Sequence, residues 1–303
     1  MSISEKSRLD EIAGEFDKNG FVKLEQVIAP AELEALREDT QLIIEGGYKN
    51  KENESDYFYS IDPESGEEVF HRVQYVFPKA VVHNSLLTLL AHPTILQIVQ
   101  HILGDDFVCA AEAFVFKVPR NGREVPMHAD CNPADPALSP AHLIFNVDFY
   151  LDDSSIENGC LWVAPGSHKL NLSAQEISER GWDFPDLVPV PMKAGDVLLH
   201  NIRLAHGSHK SYAPTIRRTL YYEFDRLNWL VREGSRPEYP INECWVQDRL
   251  RLMMHALDLR RKAPYAQVEE PFHYQVPPGY LVKWPDSNEK VNYRPAMGHS
   301  KYF

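Results

Sequence analysis

The chain has 303 residues, a formal net charge of −13, 44% hydrophobic and 25% charged residues, the balance of a globular enzyme rather than of a disordered or fibrous chain. That acidity excludes the basic footprint of a nucleic-acid-binding surface, and no apolar run is long enough to span a bilayer, so neither nucleic acid nor membrane is an expected partner. The N-terminus lacks the basic-then-apolar pattern of a signal peptide. The four cysteines, Cys109, Cys131, Cys160 and Cys244, form no Cys-x-x-Cys pair, which predicts reduced thiols and a cytoplasmic location.

In chain order, Leu9, Ile12 and Phe16 mark the apolar face of a short helix that Asn19-Gly20 should stop. Phe21 to Leu24 alternates as a strand. Pro30 opens a second helix at its first turn, with Leu33, Leu36, Thr40 and Ile43 as its buried stripe and Gly46-Gly47 as its expected end. Residues 48–70 mix charged and polar residues with Tyr57, Phe58 and Tyr59 and read as a long loop or loose hairpin. Helical spacing returns over 85–103, split at His92-Pro93 because the residue before proline avoids the helical region.

After Gly104 the pattern changes. Residues 107–118, 143–151, 160–164, 188–192, 196–200 and 216–225 are short β-type runs separated by turn clusters, which predicts a sandwich or barrel. Residues 132–140 read as an irregular loop. Residues 242–262 form a further helix with Asn242 as N-cap and Arg260, Arg261 and Lys262 at its C-terminal end. One domain over 1–303 is expected: a helical part over 1–104, a β core over 105–230, and a C-terminal helix and tail over 231–303.

The chemistry begins at Met127-His128-Ala129-Asp130. In an extended segment residues two apart share a face, so His128 and Asp130 project an imidazole and a carboxylate to one point. That is two-thirds of the 2-His-1-carboxylate facial triad that holds a non-haem Fe(II). The third ligand is read as His206, which follows a tight turn and a strand; His200 and His209 are its rivals, and a structural or surface role is preferred for both. Arg217 shares a strand face with Thr219, Tyr221 and Glu223, and Arg218 lies on the opposite one. An arginine there suits a bidentate grip on a carboxylate, and the Ser208 hydroxyl adds a hydrogen bond. On 143–151, Asn146, Asp148 and Tyr150 form a partly polar inner face.

His128-x-Asp130, Glu157-Asn158-Gly159-Cys160-Leu161 through Pro165-Gly166-Ser167-His168, Gly195-Asp196, His206-Gly207-Ser208 and Arg217 together resemble the phytanoyl-CoA dioxygenase-like (PhyH) family of Fe(II)/2-oxoglutarate-dependent oxygenases, over roughly residues 9 to 226. The resemblance implies a mainly β fold with flanking helices: a double-stranded β-helix (a cupin-like jelly roll) with N-terminal helices, here followed by a C-terminal helix. It implies Fe(II) on His128, Asp130 and His206, and 2-oxoglutarate held by Arg217 with Ser208. Lys117 matches a lysine often found on the strand before the dyad. Asp148 and Ser211 depart from the family's usual residues, which leaves the substrate unassigned.

The expected activity is therefore that of a dioxygenase of hydroxylase type, consuming O2 and 2-oxoglutarate, releasing succinate and CO2, and acting on a small molecule. The alternatives are a non-oxidative metal-binding jelly roll (an isomerase or ligand-binding protein), which has no need of Arg217, and a same-fold oxygenase that desaturates or cyclises a natural product. A halogenase would carry a small residue in place of Asp130. Residues 53–77, with six aromatics from Tyr57 to Phe77, are expected to close over the cavity as a lid, with Tyr57, Tyr59 and Arg72 as substrate contacts. The rival reading packs those rings against the helices of 85–103; specificity would then fall to Asn146, Asp148 and Tyr150.

Overall fold

The computed structural model describes residues 3–51, 56–77, 84–134, 143–234 and 241–284. Positions 53–55 of the expected lid, most of the 132–140 loop and the end of the tail lie outside the described residues.

Helix α1 (Ile3–Asn19) buries Ile12 and Phe16 and stops at Gly20. There φ is +83°, and a Cβ would lie 2.4 Å from His168 Nδ1, so only glycine fits. Strand β1 (Phe21–Leu24) follows. Helix α2 (Pro30–Asn50) runs through Gly46-Gly47 instead of ending there. The reason is packing: a Cβ on Gly47 would sit 2.4 Å from the Phe70 ring, so the glycine admits an aromatic ring to the helix surface.

Phe70 belongs to a hairpin of β2 (Tyr57–Ile61) and β3 (Glu68–Gln74). The hairpin is thus the alternative that forms, and its place in the sheet corrects the expectation of a lid. β3 pairs antiparallel with β4 (Val108–Lys117), so the hairpin extends the main sheet at one edge. Helices α3 (Ser85–Leu90) and α4 (Pro93–Leu103) divide at His92-Pro93.

The remaining strands are β5 (Val125–His128), β6 (Phe145–Tyr150), β7 (Leu161–Val163), β8 (Val188–Val190), β9 (Val197–Asn201), β10 (His206–Ser208) and β11 (Arg217–Asp225). Two antiparallel sheets result, in the orders β1-β9-β6-β11-β4-β3-β2 and β5-β10-β7-β8. They face each other as a jelly roll, the double-stranded β-helix.

The outward face of the large sheet is apolar. Phe145, Val147 and Phe149 of β6 and Leu220, Tyr222 and Phe224 of β11 pack on residues of α1 to α4 and the C-terminal helix. Between the sheets, Tyr150, Leu161, Val163, Val190, Met192, Leu198 and Leu204 close one end. Helix α5 (Ala174–Arg180), which period alone does not reveal, starts at a capping box in which Ser173 and Glu176 satisfy each other's backbone N–H.

After the short turn α6 (Leu227–Trp229), helix α7 (Glu243–Lys262) begins with the Asn242 side chain accepting from the Trp245 N–H at 3.0 Å. Its Arg260 does more than face the helix dipole. It pairs with Glu32 of α2 and with Glu269 of the tail, at 2.7 and 2.6 Å. No described helix is long and apolar enough to cross a membrane.

Arg249 of α7 meets Glu112 of β4 at 3.5 Å, both fully buried. Burial pushes the Glu112 carboxyl up to about 8, against the opposing pull of Arg249. A carboxyl raised on folding contributes stability that is complete below its unfolded value and lost as pH rises through the folded one. Urea unfolding of wild type and Glu112→Gln at pH 6 and pH 9 should therefore shift the stability difference toward the variant at pH 9. A difference that does not change with pH would contradict this account.

Candidate active site

The jelly roll places its chemistry where β5 meets β10. The two strands pair antiparallel with His206 directly opposite His128, and the imidazole centroids stand 4.2 Å apart. Asp130 lies two residues past the end of β5's pairing. Its Oδ1 is 3.6 Å from His128 Nε2 and 3.7 Å from His206 Nε2. These separations are too long for hydrogen bonds, yet the three donor atoms all lie within 4.8 Å of one another.

Each imidazole is fixed from behind. His128 Nδ1 donates to the Pro126 carbonyl at 2.8 Å and His206 Nδ1 to the Leu204 carbonyl at 2.9 Å. A carbonyl only accepts, so each Nδ1 carries a proton and each Nε2 is turned toward Asp130, the orientation found in metal-binding histidines. Burial, and the neighbouring His128, push His206 down to about 3, so it is neutral at pH 7. Burial opposes the charge on Asp130, but the histidines around it outweigh burial, His200 through a direct hydrogen bond, and hold the carboxyl well below its usual range. Two imidazole nitrogens and one ionised oxygen are a donor set that fits a divalent non-haem iron.

A second feature lies on the large sheet. Arg217 at the start of β11 is opposite Lys117 at the end of β4, and the two are only 3% and 2% exposed. Among the described residues neither has a carboxylate partner. Arg217 donates to the Gly159 carbonyl and Lys117 to the Arg123 carbonyl, while Arg217 Nε is buried without an acceptor. Burial and the adjacent guanidinium push the Lys117 amine well below its usual value. Two buried, adjacent cations without a counter-charge are costly, and they fit an anionic ligand. Ser208 is buried on β10, two residues past His206.

The turn at Gly159 makes this cleft possible. Its φ is +77°, and a Cβ would lie 2.5 Å from the His209 carbonyl and 2.9 Å from Lys117 Cε. Asn158 pins the same turn through the Ser155 N–H and the Asp153 carbonyl.

The other sequence candidates separate by strand face. In the β2–β3 pairing Phe58 opposes Arg72 and Tyr59 opposes Phe70, so His71 is an extra, bulged residue. Tyr57 and Tyr59 therefore turn to the helical side. Their rings pack on Phe70, and the Tyr59 hydroxyl donates to the Gly47 carbonyl. This corrects their expected role as substrate contacts. Arg72 is on the inner face, stacked on Phe58 at 5.4 Å, and feels the charge of Asp130.

Asn146 and Asp148 also differ from expectation. Asn146 donates to Asp130 Oδ2 at 2.8 Å, and Asp148 is fully buried against His200. Tyr150 is enclosed in the apolar layer between the sheets. Of the rival histidines, His200 lies behind Asp130, and His209 is exposed and stacked on Trp182 at 3.8 Å. His168 braces the end of α1 through the Asp17 carbonyl. A second close group, Glu32, His92 and Glu269, has its carboxylates engaged by Arg260. Glu223 and Tyr221, on the Arg217 face of β11, were not singled out as contacts from sequence; burial raises the Glu223 carboxyl to about 8.

Residues 16–219 match the family model for phytanoyl-CoA dioxygenase (PhyH). The chain is 29% identical over 150 residues to Phytanoyl-CoA dioxygenase 1 of Oryza sativa subsp. japonica, covering 43% of this chain and 51% of the rice protein. It is 27% identical over 272 residues to a Stutzerimonas stutzeri protein named "Probable alpha-ketoglutarate-dependent hypophosphite dioxygenase", covering 83% of this chain and 90% of that one. Among solved structures, AviO1 from Streptomyces viridochromogenes Tue57 superposes with a TM-score of 0.59 at 26% identity, over 72% of this chain and 95% of that one. The match spans 51%, 62% and 66% of the length of three of the curated relatives.

Gly159→Ala tests the cleft's backbone. Gly66, with φ +70° and open space around it, is the control, since alanine there meets only the conformational penalty of about 1–2 kcal/mol. Gly159→Ala should destabilise more than Gly66→Ala in chemical denaturation, because it also displaces the Lys117 side chain. Equal losses would mean that the close approach at Gly159 is unimportant.

Proposed function

The chain belongs to the phytanoyl-CoA dioxygenase family, and on that premise we propose that it is an Fe(II)- and 2-oxoglutarate-dependent dioxygenase that hydroxylates a small molecule. The observation that carries the proposal is the pairing of two buried basic side chains, Lys117 and Arg217, which have no carboxylate partner among the described residues, with a 2-His-1-carboxylate cluster in one jelly roll. A metal site alone would suit a non-oxidative jelly roll. The added cations call for an anionic co-substrate.

In this reading His128 Nε2, Asp130 Oδ1 and His206 Nε2 would hold the iron. Fe(II), when bound, supplies the O2 chemistry that couples decarboxylation of a 2-oxo acid, to succinate and CO2, to oxidation of a second molecule. The chain's own residues bind and orient. Arg217 takes the distal carboxylate of 2-oxoglutarate through its guanidinium, Lys117 adds a second positive charge, and the Ser208 hydroxyl a hydrogen bond. Tyr150 and its apolar neighbours keep water from that end of the cavity. Arg72 and Phe58, on the inner face of β3 and β2, are the proposed contacts for the substrate that is oxidised. The net charge of −13 supports a small-molecule substrate over a polyanionic one. The four free cysteines suit a reducing, cytoplasmic setting. The helices, the jelly roll and the C-terminal helix are proposed to act as one oxygenase domain.

Two sets of variants test this. His128→Ala, Asp130→Ala and His206→Ala should each abolish succinate release from 2-oxoglutarate and binding of Mn(II), a redox-stable substitute for Fe(II), with far-UV circular dichroism unchanged. Turnover that survives His206→Ala would remove it from the ligand set.

Arg217→Ala should weaken 2-oxoglutarate binding by about 2–5 kcal/mol, the scale for losing one partner of a buried charged contact. Arg218 is on the opposite face, where it grips Asp152 through two bonds of 2.8 Å. Arg218→Ala should instead lower stability by about 3 kcal/mol, as for a broken buried pair, and leave the apparent 2-oxoglutarate KM unchanged. Equal effects of the two variants on that KM would exclude the assignment of Arg217.

A further inference from the structure

Asp130 is gripped on one side only. Its Oδ1 faces the two imidazole Nε2 atoms, at 3.6 and 3.7 Å. Its Oδ2 accepts from His200 Nε2 at 2.9 Å and from Asn146 Nδ2 at 2.8 Å. His200 in turn donates from Nδ1 to Asp148 Oδ2 at 2.9 Å. The ring thus bridges two carboxylates, one at each nitrogen.

The sheet explains why these groups meet. β6 and β9 pair antiparallel, with Asn146 opposite His200 and Asp148 opposite Leu198. Asn146, Asp148 and His200 therefore project from one inner face, behind the segment that follows β5. His200 and Asp148 are fully buried, so solvent does not compete for their hydrogen bonds.

We infer that Asp148 and His200 are positioning residues: with Asn146 they hold Asp130 Oδ2 away from the metal, so that the carboxylate coordinates through Oδ1 alone and the position its second oxygen would occupy stays open for 2-oxoglutarate. The inference rests on the reading of His128, Asp130 and His206 as ligands. A carboxylate released from this grip is free to turn and chelate with both oxygens, which competes with the co-substrate for the same position. Partners of metal ligands typically matter by about 10–100-fold in metal affinity or activity.

The test is anaerobic titration of the metal-free full-length chain with Fe(II) at saturating 2-oxoglutarate, read by the visible charge-transfer absorption of the chelated 2-oxo acid, alongside Mn(II) affinity from paramagnetic resonance. In folded His200→Ala and Asp148→Ala, Mn(II) should still bind but the charge-transfer band should remain weak even at saturating Fe(II), because the freed second oxygen of Asp130 takes the position of the 2-oxo acid. Asp148→Asn keeps an acceptor for the His200 Nδ1–H and should restore most of the band, which a merely structural deficit would not do. The inference is overturned if folded His200→Ala and Asp148→Ala bind Mn(II) and give the band as wild type does, or if Asp148→Asn is as impaired as Asp148→Ala. His128→Ala separates the two levels. If it too binds the metal normally, the ligand assignment fails; if it loses the metal while His200→Ala binds it and gives the wild-type band, only the positioning role fails.

Discussion

The site depends on one strand pairing. β10 is three residues long and meets β5 antiparallel, with His206 against His128. Strand registry allows no partial slip: a shift of one residue would turn His206 to the other face. Gly207 enforces the register, because a Cβ there would lie 2.9 Å from the Val125 carbonyl and 3.1 Å from the Met127 backbone nitrogen. The small residue between His206 and Ser208 is thus what brings the two strands close enough for the imidazoles to meet. From that contact follow the place of Asp130, just beyond the strand, and of the Asn146, His200 and Asp148 groups behind it.

The chain handles buried charge in two ways. Arg218 is bidentate to Asp152, Arg249 meets Glu112, and Arg260 bridges Glu32 and Glu269. Each of these has a carboxylate, and each ties one layer to another: the inner strands to α2, α7 to β4, the tail to α2. Lys117 and Arg217 break the pattern. They stand side by side on the inner face with carbonyls as their acceptors. Uncompensated charge in a protein interior is unstable unless something of opposite sign visits it. The contrast with the carboxylate-paired arginines is what supports the proposed role of Arg217 and Lys117 in holding an anion.

Both layers meet in β11. Its outward residues Leu220, Tyr222 and Phe224 are fully buried against the helices, and its inward ones carry Arg217, Thr219, Tyr221 and Glu223. A central strand is held along both edges, by β4 and by β6. Rigidity of that kind suits groups that must bind in one geometry. The hairpin β2–β3 adds to the same sheet, so the aromatic segment expected to be a lid is part of the wall instead.

Much of the site was legible because period-two alternation is a local property. His128 and Asp130 share a face wherever the strand lies, and Arg217 and Arg218 must oppose each other. The helix starts at Pro30 and Asn242 and the stop at Gly20 are local for the same reason: they follow from proline's φ, a side-chain oxygen and a missing Cβ. What the sequence could not decide depends on contacts between distant segments. Gly46-Gly47 reads as a helix end until Phe70 is seen to fill the notch. Tyr57 and Tyr59 read as cavity-facing until the bulge at His71 sets their strand's register. His200 reads as a surplus histidine until β9 pairs with β6 and lays it between Asp130 and Asp148. Alternation tells which side chains travel together, but the side on which they arrive is set by strand pairing, bulges and packing between residues far apart in the chain, and those are fixed only in the folded molecule.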